Sequence, residues 1–364
     1  IIIYLINMSD SLSNIVIDNG SSSIKCGFSG EEAPKSIFSN VISQSSDKVG
    51  DDSLEDNISP IEHGIIINFD LMEKIWEHTF LRELKVSQDE RNILTSDSPL
   101  SPKMNREKMT QIMFEKFNVQ GLFICIRPML SMYCVGKTSA LVVESGDDVT
   151  QVVPINEGYY FPYSITKSNL GGKTVTNFLM DKLSEKITCE SKKELKKLSK
   201  IIKEKLCRVS LNYEEELKDP KFNEIQYKLP DGNELKLEKE LFICPETLFD
   251  PNLTGQEIPG IPMQMYNSIM KCENDIRKEL YSNIILAGGN TLLNDFHERI
   301  HQEIQCLAPN SVLPKLKVFA QNERKYTAWI GGALIAGLQN FQANWVTHAE
   351  YQDAGPQIIH RKCF

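Results

Sequence analysis

The sequence predicts an α/β protein with two similar halves, and two stretches with the same plan carry this prediction. In residues 15–27, an apolar β-branched strand runs into the turn sequence Asp18-Asn19-Gly20 and then into a second strand. Asn and Gly adopt positive φ at little cost, as such turns often require. Residues 141–152 repeat the order of apolar strand, acidic residue, Ser, Gly and apolar strand. One hairpin of this kind in each half indicates a duplicated fold.

Length and composition fit this interpretation. The chain has 364 residues, of which 41% are hydrophobic and 24% charged, which is enough for two or more domains with sizeable cores. The net charge of −9 argues against nucleic acid as the main partner. No apolar run is long enough to cross a bilayer, so we expect no membrane span.

The nine cysteines include no CxxC pair and no metal-ligand spacing. We therefore interpret them as mostly buried thiols of a reducing compartment. Cys363 is the last but one residue of the sequence, and we expect it to be the most exposed and reactive of the nine.

The first turn has the composition of an anion-binding nest. Its backbone N–H groups are flanked by three hydroxyl residues, with a lysine just beyond, and such an arrangement binds phosphate groups. These residues are Ser21, Ser22, Ser23 and Lys25. An ordinary hairpin is the alternative for this stretch alone. The second hairpin favours a nucleotide held between two halves, because ligands commonly bind at domain interfaces.

Two acidic residues stand at the mouths of the two turns. Asp18 follows the first apolar strand, and Glu144 follows the corresponding strand of the second hairpin. A hard divalent cation that bridges phosphates prefers carboxylate oxygens. Asp18 and Glu144 are therefore the candidate metal ligands.

A third glycine-rich turn is predicted in residues 283–291. A buried strand leads into Gly288-Gly289, and we expect a helix to follow. A glycine pair lets the backbone approach a ligand closely, and a helix N-terminus favours negative charge.

The remaining elements follow from caps and periodicity. Asp70 is predicted to cap a helix in a capping box with Glu73, and Asn105 is predicted to open the next helix. Residues 121–126 predict a buried strand. Ser191 is predicted to cap a lysine-rich helix in a second capping box, with Glu194, and the lysines are interpreted as a solvated face.

Two loop features have less definite interpretations. Residues 43–57 are polar and poorly patterned, which indicates a solvated loop. His63 is either a structural histidine bonded within a loop or a sensor near the phosphates.

Several segments together resemble actin. They are residues 60–64 (PIEHG), 72–76 (MEKIW), 105–115 (NREKMTQIMFE), 203–207 (KEKLC), 267–272 (NSIMKC), 323–326 (ERKY), 329–332 (WIGG) and 360–364 (HRKCF). The resemblance extends over residues 15–364. It implies a duplicated actin-like ATPase fold, with two α/β domains and four subdomains around a cleft that holds Mg-ATP. It also implies a cytoplasmic protein of the filament-forming cytoskeleton.

The resemblance divides the chain into four subdomains. Subdomain 1 would span residues 8–42, 60–134 and 327–364, and subdomain 2 the shortened segment 43–59. Subdomain 3 would span 135–170 and 262–326, and subdomain 4 would span 171–261.

The resemblance also implies a set of cofactor-binding residues, with ATP or ADP as the nucleotide and Mg²⁺ or alternatively Ca²⁺ as the cation. Asp18 and Glu144 would hold the cation through water. The nucleotide would be bound by Asp18, Gly20, Ser21, Ser22, Ser23, Lys25, Ser145, Gly146, Asp147, Asp148, Val149, Gly172, Lys200, Lys203, Glu204, Gly288, Gly289, Leu292, Leu293 and Lys325.

Departures from actin fall on the catalytic positions. Arg127 stands where actin has a glutamine that positions the attacking water, and Gln151 where actin has a histidine. Arg has donors and no acceptor, and losing a water-positioning group costs about 10²–10⁴-fold in rate. Arg127 could still steady a γ-phosphate. It would repel Mg²⁺ by several kcal/mol at ~5 Å with an effective dielectric constant of about 20.

Further departures surround Arg127. Glu144 is one methylene longer than actin's aspartate, and Ser22 and Asp148 replace loop glycines. We expect Arg127 and Asp148 to neutralise one another across the cleft. The sequence thus predicts ATP binding with impaired hydrolysis.

The assembly surfaces depart from actin in a different way. Residues 43–57 are shorter than actin's subunit-docking loop, and residues 251–255 are less apolar than its interstrand plug. The groove around Tyr133 and the C-terminal tail is retained. We therefore expect actin or actin-like subunits and actin-binding proteins as partners, with weak self-polymerisation.

Three alternatives stay open from the sequence. A non-polymerising actin-related scaffold subunit of a larger complex agrees with the shortened loop. A decaying gene copy is compatible with the same losses. A phosphotransferase resembling the sugar kinases is disfavoured, because no base for a sugar hydroxyl stands out.

Overall fold

The structure is a computed structural model, and it describes residues 13–54, 56–187, 191–219, 224–229, 232 and 234–363. The strands are β1 (Ile15–Asn19), β2 (Ser23–Phe28), β3 (Ser36–Ser39), β4 (Ile42–Ser43), β5 (Asn57–Ile58), β6 (Ile61–Glu62), β7 (Ile65–Ile66), β8 (Asn92–Asp97), β9 (Gly121–Ile126), β10 (Ala140–Ser145), β11 (Thr150–Asn156), β12 (Tyr159–Tyr160), β13 (Thr166–Ser168), β14 (Ile225–Lys228), β15 (Glu234–Leu237), β16 (Ile284–Ala287), β17 (Val318–Phe319) and β18 (Val346–Thr347). The α-helices are α1 (Phe69–His78), α2 (Lys103–Glu115), α3 (Arg127–Cys134), α4 (Gly172–Ser184), α5 (Lys192–Leu206), α6 (Tyr213–Lys218), α7 (Glu240–Glu246), α8 (Ile261–Met270), α9 (Asn274–Ser282), α10 (Phe296–Leu307), α11 (Thr327–Ala336), α12 (His348–Ala354) and α13 (Ile359–Lys362).

Two main sheets share one plan. The first has the strand order β18-β9-β8-β1-β2-β3, and the second has β12-β11-β10-β16-β17 with β13 also paired to β11. Each contains an antiparallel hairpin, β1–β2 or β10–β11. The first strand of each hairpin pairs in parallel with a later strand, β8 or β16, which pairs in parallel with β9 or β17. The predicted duplicated α/β fold is confirmed, while the four-subdomain boundaries stay a prediction.

Alternation along β1 places its side chains in two different cores. Ile15 and Ile17 face a core on the outer side of the first sheet, whereas Val16 faces a core shared with the second sheet. Val142 of β10 joins that shared core from the other half. Successive strand residues point to opposite faces, so the apolar runs are buried on both sides.

Helices α3 and α11 fill the space between the two sheets. Their side chains belong to the same buried core as Val16 and Val142. The helices approach closely because Gly331 has no side chain, since a Cβ there would lie 1.8 Å from the Leu130 carbonyl oxygen. This packing fixes the two halves relative to each other at the floor of the cleft.

Two predicted helix starts move by two residues. The cap of α1 is Asn68 rather than Asp70, because Asn68 is extended and its side-chain oxygen accepts from the Leu71 N–H at 3.1 Å. Helix α2 begins at Lys103 rather than at Asn105. Ser191 caps α5 as predicted, because its hydroxyl accepts from the Lys193 N–H, but the described hydrogen bonds include no capping box with Glu194.

The expectation for Cys363 is wrong. Its side chain lies against β9, where it accepts a hydrogen bond from the Ile124 N–H, and the residue is 2% exposed. Burial raises the pKa of its thiol to about 12. The exposed thiol among the described cysteines is Cys306, and all eight of these described cysteines are free. Across the part of the chain that the structure describes, no helix is both long and apolar enough to span a membrane.

Candidate functional site

The loop between β1 and β2 is held in a tight, open shape. Neither Asn19 nor Gly20 has positive φ, contrary to the sequence-based expectation. Glycine is required at position 20 because there is no space for a side chain. A Cβ on Gly20 would lie 2.6 Å from the Ser23 carbonyl oxygen. Asn40 supports the loop by donating to the Gly20 carbonyl at 3.0 Å, and its own N–H bonds the Ser22 carbonyl.

The loop between β10 and β11 is joined to the start of α4. Gly146 and Asp147 accept backbone hydrogen bonds from Gly172 at 3.0 Å and from Lys173 at 2.7 Å. A Cβ on Gly171 would lie 2.6 Å from the Asp147 carbonyl oxygen. The loop and the helix therefore meet only because the intervening residue is glycine.

The third glycine turn follows β16. Gly288 has φ of +90°, and a Cβ there would lie 2.2 Å from the Ser145 carbonyl oxygen. The residues after it form a short 3-10 turn, Gly289–Leu292, and α10 begins only at Phe296. A helix therefore follows the glycine pair, but it is a short 3-10 helix, and the next α-helix begins seven residues after Gly289.

These three turns surround one cavity of about 500 Å³ between the two halves, a size typical of small-molecule sites. The structure brings together around it nearly all the residues that the resemblance implied. The lining includes Asp18, Gly20, Ser21, Ser22, Ser23, Lys25, Arg127, Glu144, Gly146, Asp147, Asp148, Val149, Gly172, Lys200, Lys203, Glu204, Gly288, Gly289, Leu292, Leu293 and Lys325. Their role in binding stays a prediction.

Two of the predicted site residues lie behind the cavity wall. Ser145 is fully buried, where it bonds Thr150 and accepts from Asn290. Gln151 is 1% exposed, and its amide nitrogen donates to the Ser98 hydroxyl at 2.8 Å. Both shape the site from behind instead of lining it.

Sequence reasoning missed several lining residues. They are Ile37, Phe38, Ser39, Ser131, Cys207, Asn290, Asn294, Arg324, Thr327 and Ala328. Arg324 precedes the predicted site residue Lys325 in the segment ERKY, so its place in the cavity lining could have been predicted from the sequence. Phe38 and its neighbours come from β3, and only the tertiary fold brings this strand to the cleft.

The Asp18 carboxylate has partners at both oxygens. Lys25 Nζ lies 3.1 Å from Oδ2, and the Ser96 hydroxyl donates to Oδ1 at 2.8 Å. Burial raises the pKa of Asp18, but Lys25 and Arg127 lower it by more, so the pKa is held below its usual value. Asp18 is therefore a buried, compensated anion.

The Arg127 guanidinium spans the cleft. Its Nε donates to Glu144 Oε1 at 2.9 Å, and its Nη1 donates to the Asn19 carbonyl at 2.8 Å. Burial lowers the pKa of Arg127, but Glu144 and Asp18 more than offset this, so the guanidinium remains charged. Burial raises the pKa of Glu144, and the pairing with Arg127 opposes that rise.

Asp148 does not pair with Arg127, so the predicted neutralisation between these two residues is wrong. Asp148 accepts a short hydrogen bond from the His63 N–H, and its other oxygen lies 3.4 Å from Lys173 Nζ. The His63 ring is also 3.5 Å from Asp148. Arg127 is drawn instead to Glu144, whose longer side chain reaches it from β10.

Lys203 closes the far side of the cavity. It is 6% exposed and donates from Nζ to the Gly172 carbonyl at 2.9 Å. Burial lowers the pKa of Lys203, while Asp147 and Glu204 act in the opposite direction. The lysine thus connects α5 to the first turn of α4.

Comparison with known protein families identifies the family of this chain. The sequence model of the family described as Actin matches residues 9–364, nearly the entire chain. The chain belongs to the actin family.

In this actin-family chain the two predicted metal ligands, Asp18 and Glu144, are already paired with basic side chains. Members of the family generally bind a nucleotide and a divalent cation. Here Asp18 already faces Lys25 and Ser96, and Glu144 Oε1 already faces Arg127. The charges of the two carboxylates and the two basic groups cancel. The remaining oxygen, Glu144 Oε2, is buried and has no hydrogen-bond partner among the described residues.

This donor set does not fit a divalent cation. A hard cation needs carboxylate oxygens that are free to turn toward it or toward its water shell. Three of the four oxygens are committed to other groups, and the fourth belongs to the carboxylate that Arg127 already pairs. Among the described residues, no cluster of three His, Cys, Asp or Glu side chains offers another metal site.

That this family member lacks a water-positioning group at residue 127 stays a prediction. Arg127 presents only donors toward the cavity. At the other predicted catalytic position, Gln151 Oε1 is buried and accepts no hydrogen bond from any residue the structure describes. Gln151 lies behind the wall rather than in the cavity lining.

Proposed function

We propose that this actin-family protein binds ATP or ADP in the cleft, hydrolyses ATP slowly, and takes part in or regulates actin filaments in the cytoplasmic cytoskeleton. The observation that carries the proposal is the single cavity formed by three glycine-containing turns from both halves of the duplicated fold. Loops that expose backbone N–H groups beside hydroxyls and lysines favour phosphate groups.

The cavity lining suits both parts of a nucleotide. It includes Ser21–Ser23, Lys25 and the loop of residues 146–149. It also includes Leu293 and Lys325, and the aliphatic stem of Lys325 runs past Gly289. A charged tail and a flat apolar base would each meet matching surface.

Slow hydrolysis follows from Arg127. A guanidinium bonded to Glu144 and to the Asn19 carbonyl cannot accept a proton from an attacking water. We expect the loss of a positioning group to lower the rate by about 10²–10⁴-fold. Arg127 would instead stabilise bound phosphate, so the nucleotide would persist as ATP.

Filament partners are proposed at the groove around Tyr133 and the C-terminal tail. Tyr133 is half-buried near the end of α3, which packs against α11. Leu334 and Leu338, at and beyond the end of α11, are 43% and 47% exposed. Apolar side chains left in solvent beside a groove are typical of protein-binding surfaces.

A second candidate function is a non-polymerising scaffold subunit of a larger complex. The observation in its favour is the small size of the segment between β4 and β5. These strands pair only Ile42 with Ile58 and Ser43 with Asn57. An actin that lacks its docking loop would still offer a nucleotide-stabilised body to other partners.

The first test is the nucleotide content of the purified full-length protein, read by chromatography after denaturation. We expect one bound nucleotide that remains ATP after incubation in Mg²⁺ and salt. Ser21→Glu places a negative charge in the first loop and should lower ATP affinity at least tenfold, because like charges repel strongly in a partly buried site. Ser311→Glu, at an exposed position outside the cavity lining, is the matched control.

The results test nucleotide binding and slow hydrolysis separately. Equal ATP affinity in the two serine variants would contradict binding in this cleft. Rapid conversion of ATP to ADP would contradict slow hydrolysis and leave binding intact.

A further inference from the structure

Arg127 is fixed at the point where the two halves meet. It begins α3 in the first half, yet its Nε bonds Glu144 in the second half at 2.9 Å, and its Nη1 bonds the last carbonyl of β1 at 2.8 Å. Its side chain is 7% exposed. A guanidinium held by partners on both sides cannot swing out to solvent without breaking both bonds.

The surroundings leave space for the guanidinium. Gly64 has φ of +76°, and a Cβ there would come within 3.3 Å of Arg127 Nη2. Residue 64 belongs to the segment that follows His63, which is itself bonded to Asp148. A side chain at position 64 would press on the guanidinium.

Part of the guanidinium is left for a ligand. Arg127 lines the cavity between the two phosphate-type loops. The hydrogen bonds that the structure describes use Nε and Nη1 and give Nη2 no acceptor. A guanidinium can donate two parallel bonds to a phosphate, and these unused donors point to such a ligand.

The charge balance of the site depends on Arg127. With it present, Asp18 and Glu144 are compensated by Lys25 and Arg127. Without it, Glu144 would be a buried carboxylate with no ion-pair partner, close to Asp18 and near the acidic residues Asp147 and Asp148 of the second loop. The cavity lining would then hold five acidic and five basic residues, so a polyphosphate would enter a site with no net positive charge unless a metal ion came with it.

We propose that the Arg127 guanidinium takes the place of the divalent cation in this cleft, so that the site binds a nucleoside polyphosphate without a metal ion. The inference rests on the proposed nucleotide binding. It adds that the nucleotide is bound as the free polyphosphate and not as a metal complex. Arg127 joins the Glu144 carboxylate of one half to the Asn19 carbonyl of the other, as a bridging cation would, and presents its remaining donors to the phosphates.

The test compares ATP affinity with Mg²⁺ and with EDTA. The full-length chain is stripped of nucleotide, and ATP is titrated by calorimetry in either condition. We expect dissociation constants for the wild type that differ by less than about threefold. In Arg127→Gln, which removes the guanidinium and frees Glu144, EDTA should weaken ATP binding at least tenfold relative to Mg²⁺.

Arg324→Gln is the matched control. Arg324 also lines the cavity, but it donates to Thr291 and has no contact with the two carboxylates. This variant should alter ATP affinity equally in both conditions and leave the dependence on Mg²⁺ unchanged. Circular dichroism establishes that each variant is folded, and the two wild-type titrations decide the question even where a variant is not.

Each outcome has a definite meaning. Wild-type binding only in Mg²⁺ would overturn the inference and leave nucleotide binding standing. Failure of ATP to bind in either condition would overturn nucleotide binding and the inference with it. An Arg127→Gln variant that remains indifferent to Mg²⁺ would show that the guanidinium is not the substitute.

Discussion

Single glycines in this site are required for two different physical reasons. Gly288 combines a φ of +90° with a backbone contact that leaves no room for a Cβ. Gly20 has ordinary φ, and its glycine is needed only because the Ser23 carbonyl lies so close. The sequence marks both positions in the same way, and only the geometry distinguishes strain from crowding.

Gly288→Ala should destabilise the protein by about 2–4 kcal/mol, because the strain of positive φ adds to displacement of the Ser145 backbone. Gly30→Ala is the matched control, since Gly30 has φ of +83° and no atom within 4 Å of a Cβ. We expect it to cost about 1 kcal/mol. Thermal melting of nucleotide-free protein measures both, and equal losses would show that the contact with Ser145 is unimportant.

The start of helix α1 is fixed by its capping residue. Met72, Ile75 and Trp76 are buried on one face, as the periodicity predicts. The cap, however, is Asn68, whose extended backbone lets its side chain accept from the Leu71 N–H. Asp70 lies in the first turn and interacts only with the helix dipole.

Asn68→Ala should therefore lower the unfolding free energy by about 1 kcal/mol, the usual cost of losing an N-cap hydrogen bond. Asp70→Ala should cost less than about 0.5 kcal/mol, because it removes only a favourable charge near the helix start. Denaturant unfolding of both variants gives the comparison. A larger loss of unfolding free energy for Asp70→Ala than for Asn68→Ala would support Asp70 as the capping residue.

The two halves are linked across the cleft by more than their shared core. Arg127 bonds Glu144, and Gln151 donates to the Ser98 hydroxyl at 2.8 Å. The His63 N–H also bonds Asp148. These three hydrogen bonds join residues of opposite halves. The two halves are therefore connected across the cleft without a bound ligand.

At the scale of assembly, we expect the chain to remain in the supernatant when Mg²⁺ and salt are added at concentrations that pellet a conventional actin. The reason is the short connection between β4 and β5, residues 44–56, which leaves little chain to dock into a neighbouring subunit. High-speed sedimentation with conventional actin as the positive control measures this. Regular filaments of this chain alone under electron microscopy would contradict the expectation.

Much of the fold was readable from the sequence. Apolar β-branched runs and glycine turns predicted both hairpins, and the match of their plans predicted the duplication. Residues 121–126 form the predicted strand with the same bounds. Local signals suffice here because strand pattern and turn chemistry depend on neighbours along the chain. The site residues were assembled by resemblance, since their positions relative to one another depend on the fold.

What the tertiary structure alone decided concerns side chains that meet across long stretches of chain. It paired Arg127 with Glu144 rather than with Asp148, and it buried Cys363 against β9. Electrostatic pairing depends on distances of a few ångströms, and no local pattern encodes which of two carboxylates lies nearer to a given guanidinium. The sequence by itself determined the family, the two hairpins and the three turns, whereas packing determined which charges those turns bring together.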